Sequence, residues 1–424
     1  MTEGPPRPRK IVVLMAVAAV ILICGLVVVG AELVARSLET KEGGHPVANI
    51  PDPELGWLPK SGEFWTRTAE FEANASINAL HMNDREVTDV DLTRKNRILV
   101  LGDSHTFAVG VSPAETWPKR LEVKLFPNND TSGVVWNAGV IGYSVDQYLE
   151  RFRRLRDALK PTLVLVGFSM ATDLYDLIPP ERGGFVYGGN AARVYFDLGP
   201  NSELVEKIYA PSKAAKLTSN ETDPSLAIRG YLERFSLYRM LKRSKLAMWV
   251  AVHFKPHGYS LWPGLDTALK KNLTDDDKYR WLLAERVLGK LVEEAGRTGA
   301  RVGIVNIPYL AQVYDDVWSA SFGAVPDEYD RWIASRRLDA VCRRIGALCI
   351  NTTGAFVDAV RKRGRWLHFP QDAHPNSEGH ELIANLVAEC LRAAGLASGT
   401  VNTQQGISVC ADHVPIVRSE IEVR

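Results

Sequence analysis

Between residues 97 and 175, short apolar runs alternate with helical patterns, and this alternation leaves few architectures open to the chain. Ile98–Leu101, Gly133–Asn137 and Leu163–Phe168 read as buried strands, with helices near Trp117–Leu125 and Val145–Leu159 between them. Strands joined through helices run parallel, under helical cover. The pattern resumes at a helix over Tyr279–Thr298, where Leu283, Val287 and Leu291 share one face. A strand Val302–Ile307, a helix Pro326–Arg343 with proline in its first turn, and a short strand Leu348–Ile350 follow.

The first apolar run stops at Gly102-Asp103-Ser104. Gly102 permits a tight turn that lifts the Ser104 hydroxyl out at the carboxyl end of a sheet, where ligands bind in open α/β folds. Far along the chain, Asp372-Ala373-His374-Pro375-Asn376 leads into a closing helix near Glu381–Ala394. A serine nucleophile needs a base for its proton and a group to hold that base, and one Asp-x-His loop supplies both. Taken alone, the same loop also suits a helix cap or a metal ligand. No Cys-x-x-Cys or Cys/His metal spacing occurs, and no metal or cofactor is expected.

Together the two pieces resemble the SGNH (GDSL-type) hydrolase family. Gly102-Asp103-Ser104 is similar to the family's first block, which carries the nucleophile, and Asp372-Ala373-His374 to its last, which carries acid and base. Asn137-Ala138-Gly139-Val140-Ile141-Gly142 resembles the second block, whose glycine N–H helps form the oxyanion hole. Gly142 matches better than Gly139. In the third block the chain departs, with Thr172-Asp173 where family members usually carry Asn-Asp. The resemblance implies a flavodoxin-like doubly wound parallel sheet and a serine esterase with Ser104, His374 and Asp372 as its triad. It also implies an oxyanion hole from the Ser104 and Gly142 backbone, with the Thr172 hydroxyl as a third donor. Asp103 and Asp173 are expected to brace turns, and His105 and His380 to support or cap rather than react.

The hydrophobic share of 46% and charged share of 24% are those of a globular protein, and a net charge of +1 gives no reason to expect nucleic acid. The exception is residues 11–30, an uncharged apolar stretch long enough to cross a bilayer as a helix. Arg7, Arg9 and Lys10 precede it, so residues 1–10 should stay in the cytoplasm and the remainder face outward from the inner (plasma) membrane. An uncleaved single-pass anchor is expected over a cleaved signal, whose apolar region is shorter. Residues 31–95 read as a stem and N-terminal extension, 96–397 as the hydrolase domain, and 398–424 as a polar tail.

Within the domain, residues 177–276 look like a helical insertion containing a helix over Tyr231–Val252, with Trp249, Phe254, Tyr259 and Trp262 as candidates to stack on sugars or to form its own core. Cys342 and Cys349 flank a predicted helix end and strand and are the favoured disulfide, with buried free thiols as the alternative.

The expected function is a membrane-anchored, outward-facing serine esterase whose substrates, by resemblance to bacterial members, are O-acyl (usually acetyl) esters of cell-envelope or exopolysaccharide glycans. Small esters are substrates of the same chemistry. An O-acyltransferase would use the same residues. A degenerate member that binds a glycan or an assembly partner without turnover is the reading from another class, motivated by Thr172.

Overall fold

The computed structural model describes residues 8–38, 43–128, 130–170, 172–177, 179, 192–210, 231–232, 234–242, 263–323 and 325–396. The chain divides into two compact units, residues 1–42 with 218–255, and residues 43–217 with 256–424.

The larger unit is built on five strands, Asn96–Gly102, Gly133–Asn137, Leu163–Ser169, Arg301–Ile307 and Leu348–Asn351. Numbered in chain order, they lie side by side as 2-1-3-4-5, and every neighbouring pair is parallel. This is the flavodoxin-like order, with its crevice between the first and third strands, where the strand order reverses. Both faces are covered, which explains unbroken apolar runs in place of alternation: Leu99, Val100 and Leu101 have no exposed surface. Trp117–Leu125 packs with the closing helix Ser377–Ala393, while Val145–Leu159 packs with Asp275–Arg297, which also meets Ile333–Ile345. Trp136, Tyr148 and Phe152 are fully buried in this core, each apolar side chain contributing roughly 1.5–3 kcal/mol of transfer free energy.

The lead-in folds onto the same unit. Gly43–His45, Gly62–Arg67 and Glu72–Ile77 form a three-stranded antiparallel sheet, and Asn49–Asp52 pairs with Gly56–Pro59. Leu55, Trp57, Leu58 and Met82 enter the main core. The disulfide joins Cys342 to Cys349, tying the end of the Ile333–Ile345 helix to the last strand.

Three sequence expectations need correction. The helix expected over Pro326–Arg343 spans Ile333–Ile345, because the preceding backbone is taken into pairing: the Lys271 amide donates to the Glu328 carbonyl (2.8 Å) and the Asp330 amide to the Leu269 carbonyl (3.0 Å). The helix expected from Tyr279 begins at Asp275, where Thr274 and Asp277 cap each other's backbone amides. The insertion is not wholly helical. Its described part contains an antiparallel hairpin, Arg193–Leu198 with Leu204–Tyr209. Val194, Tyr195 and Phe196 bury its inner strand, and Arg193 forms an ion pair with Asp146 at 2.7 Å, both side chains buried. Of the helix expected over Tyr231–Val252, the described part runs over Ser236–Lys242. Trp249, Phe254, Tyr259, Trp262 and the tail 398–424 lie outside the described residues.

In the smaller unit a helix runs from Pro8 to Leu38. Within its Val12–Ser37 portion, an 18-residue window has a mean hydropathy of 3.3 and is unburied, and the portion is long and apolar enough to cross a membrane. Near its end the Glu32 carboxylate accepts the backbone amides of Ser236 (3.0 Å) and Leu237 (2.8 Å), satisfying donors that a helix start leaves open.

Candidate active site

The first strand of the sheet ends at Gly102, whose φ of +156° and crowded surroundings exclude a side chain: a Cβ there would lie 2.1 Å from Thr106 Oγ1 and 3.0 Å from the Gly167 carbonyl. Asp103 then caps the short helix Ser104–Phe107, its Oδ1 accepting the His105 amide at 2.8 Å. Ser104 therefore sits at a helix start beside the crevice, partly exposed.

The opposing loop is closed by its own backbone, with the Phe369 amide donating to the His374 carbonyl (2.9 Å) and the Ala373 amide to the Phe369 carbonyl (2.8 Å). Ala373 is left-handed at φ 74°, a strained conformation for a residue with a Cβ. Asn376 anchors the loop to the closing helix, accepting the Gly379 amide (3.0 Å) and donating Nδ2 to the Trp366 carbonyl (2.8 Å).

These two segments bring together the three residues expected to react. Ser104 Oγ donates to His374 Nε2 at 2.7 Å, and His374 Nδ1 donates to Asp372 Oδ1 at 2.5 Å. Burial raises the Asp372 pKa, but the hydrogen bond and charge of His374 outweigh it and hold the carboxyl below its ordinary value. Asp372 is thus ionised at neutral pH and fixes the His374 tautomer that leaves Nε2 free to accept the serine proton.

The backbone amides of Ser104 and Gly142 have no acceptor among the described residues. Gly142 takes φ +79°, a turn that suits glycine. The Gly139 amide is committed to Asn137 Oδ1 at 3.2 Å, and a Cβ on Gly139 would fall 2.4 Å from the Phe107 amide, so Gly139 lets the two segments approach closely. Thr172 departs from its expected role: its hydroxyl donates to Asp103 Oδ2 at 2.7 Å and is not free to meet an oxyanion. The same carboxylate takes His105 Nδ1 at 3.0 Å. Burial raises Asp103, and the His105 and Thr172 bonds more than reverse this, so its charge is retained beneath the site.

Asp173 has no exposed surface, and accepts the Ser169 amide (2.8 Å) and the Tyr148 hydroxyl (2.5 Å). Burial and the neighbouring Asp103 charge push its carboxyl well above its ordinary value. His380 accepts the Trp117 amide at Nδ1 (3.3 Å), and burial keeps its ring neutral. His105 stacks at a tilt on His374, with ring centroids 4.7 Å apart. Asp103, Asp173 and His380 are thus each engaged with backbone or side-chain partners, and His105 with Asp103. Among the described residues no cluster of His, Cys, Asp or Glu could hold a metal ion.

One neighbour yields a pH prediction. Burial, with the charges of Asp103 and Asp146, raises the Asp176 carboxyl to about 7 against the pull of Arg193 and Arg280. Its folded pKa lies above its unfolded one, so the stability it contributes is complete below about pH 4 and is lost as pH rises through 7. Asp176→Asn removes that loss. Differential scanning calorimetry should show the variant's midpoint raised by about 2–4 °C at pH 8 for each kcal/mol relieved, and close to wild type at about pH 3.5, below the unfolded value; an equal gain at both values would contradict the assignment.

Sequence reasoning missed Glu70, which accepts the backbone amide of Asp372 at 2.8 Å across most of the chain's length. A lone glutamate in a hairpin turn carries no signal of such a contact.

No family model and no curated protein matches the chain. Solved structures similar to it include LAE5, an alpha/beta hydrolase enzyme from the metagenome of Lake Arreo, Spain (14% identity, TM-score 0.37, covering 72% of this chain and 97% of the other). The psychrotrophic esterase EstA from Pseudoalteromonas sp. matches at 15% identity and TM-score 0.34, covering 70% and 97%. A catalytic mutant of Axe2, an acetylxylan esterase from Geobacillus stearothermophilus, matches at 13% identity and TM-score 0.35, covering 70% and 94%.

Proposed function

We propose that this chain is a serine esterase of the SGNH type, anchored in the inner membrane with its catalytic unit outside the cytoplasm, and that it removes acetyl groups from cell-envelope or exopolysaccharide glycans. The observation that carries the reading is the Ser104–His374–Asp372 relay, with both hydrogen bonds in place at the carboxyl end of the strand Asn96–Gly102. Ser104 Oγ attacks the ester carbonyl while His374 takes its proton. The Ser104 and Gly142 amides receive the oxyanion, and His374 returns the proton to the departing sugar oxygen. Water, deprotonated by the same imidazole, then releases the acyl group. Thr172 contributes through Asp103, leaving two backbone donors at the oxyanion.

The topology rests on the apolar Val12–Ser37 helix and the basic residues Arg7, Arg9 and Lys10 before it. The intact relay weighs against a binding protein without turnover. Incubating the detergent-solubilised full chain with O-acetylated polysaccharides and assaying free acetate tests the reading directly. Acetate release with the glycan deacetylated is the expected result. Acetyl appearing on a second glycan without free acetate would convert the assignment to a transferase, and neither product would reject both.

A further inference from the structure

The hairpin joining Gly62–Arg67 to Glu72–Ile77 belongs to the lead-in, before the catalytic fold begins, yet its tip reaches the acid–base loop. That tip is internally fixed. Thr68 Oγ1 accepts the amides of Glu70 (3.1 Å) and Phe71 (3.2 Å), and the Thr68 amide donates to the Phe71 carbonyl at 2.8 Å. From this turn the Glu70 carboxylate accepts the Gln371 amide at 3.1 Å and the Asp372 amide at 2.8 Å. Beside it the Phe71 ring packs on Phe369 with centroids 4.9 Å apart. Phe369 is seated in turn over Gly110, where a Cβ would lie 2.4 Å from the ring.

The loop's own backbone bonds close it on itself, between Phe369 and His374 and between Ala373 and Phe369. They do not hold the Gln371–Asp372 peptides against the rest of the domain, and left-handed Ala373 adds strain there. A charged acceptor on two successive amides is a strong, directional restraint. It fixes the backbone of Asp372, whose side chain orients His374, whose ring accepts the serine proton.

We propose that Glu70 is a positioning residue of the catalytic site, and that the lead-in hairpin is a working part of the enzyme rather than a spacer between anchor and domain. Glu70 acts on the reaction through Asp372 and touches neither substrate nor reacting atoms. The inference rests on the esterase reading above. Misplacing a catalytic group by about 1 Å is enough to cost about 100-fold in rate, so the effect belongs in kcat, with substrate binding untouched.

The experiment compares full-length wild type, Glu70→Ala and Glu70→Gln in detergent, using a short-chain aryl ester. Glu70→Ala removes the acceptor and is expected to lower kcat by about 10–100-fold with KM within about twofold of wild type. Glu70→Gln keeps one neutral carbonyl oxygen for the same amides and should recover part of that loss. The proton on His374 Nδ1, observed by NMR far downfield and identified by its loss in Asp372→Asn, should broaden or shift upfield in Glu70→Ala. Wild-type kcat in both variants, or a loss confined to KM, overturns the proposal. If Glu70→Ala does not fold, a kcat in Glu70→Gln equal to wild type overturns it equally. Failure of the esterase reading looks different: wild type itself would then show no turnover that depends on Ser104, and the unchanged or altered downfield proton alone would decide the role of Glu70.

Discussion

Ser104→Ala is expected to reduce hydrolysis of a short-chain aryl ester by about 10⁴-fold or more, to the background rate, because on the proposed mechanism it removes the nucleophile and with it the acyl-enzyme route. The Ser104 hydroxyl bonds only His374 among the described residues, and its side chain is partly exposed. The thermal midpoint should therefore stay within about 1–2 °C of wild type, as for an exposed polar substitution without structural partners. Steady-state kinetics and calorimetry on the same preparation check both halves, with labelling by a serine-directed fluorophosphonate as a third readout that the variant must lose. Turnover at the wild-type level in the variant rejects Ser104 as nucleophile.

Asp372→Asn carries the second large effect. The carboxylate accepts the Nδ1 proton of His374 at 2.5 Å and so dictates which ring nitrogen is free. An amide at the same place presents an N–H to Nδ1, which drives the ring proton to Nε2. The base then faces Ser104 with a proton already attached. A loss of about 10⁴-fold in kcat follows from the inverted tautomer, with KM near wild type because Asp372 contacts no substrate atom. Asp372→Glu, which keeps the acceptor but lengthens the arm, should recover part of the rate. A kcat within a factor of ten of wild type for Asp372→Asn would show that His374 is oriented by something else.

What was legible in the sequence divides along the range of the forces involved. The five central strands could be read because each is buried on both faces, so its local composition records its final environment; Gly133–Asn137 coincides with its strand to the residue. The meeting of Ser104, His374 and Asp372 could be anticipated because each half carries its own local grammar, a glycine turn before the serine and an Asp-x-His loop before a capped helix. Elements decided by distant backbone were not legible. The start of the Ile333–Ile345 helix depends on pairing of Glu328 and Asp330 with residues 269–271, and no propensity within the segment encodes that. The hairpin Arg193–Leu198 with Leu204–Tyr209 is held by burial and by Asp146, and lies in a stretch where length and the pattern over Tyr231–Val252 suggested a helical insertion. Thr172 shows the same limit at the site. Its type and position suggested an oxyanion donor, and only the placement of Asp103 2.7 Å away reveals where its proton goes.

The serine and its base are 270 residues apart in the chain. During synthesis the N-terminal segment emerges first and the nucleophile strand soon after, while His374 is made only as the last helix follows. Until then the chain carries a hydroxyl with no base, and that hydroxyl is no more reactive than any other serine. The strand Asn96–Gly102 also waits for partners made later, since its neighbour Leu163–Ser169 and the strands beyond must arrive before the sheet is buried on both faces. On the proposed mechanism, the Ser104–His374 pair is assembled only when the last loop has joined the sheet, and a nascent or truncated copy that lacks His374 has no base for the serine.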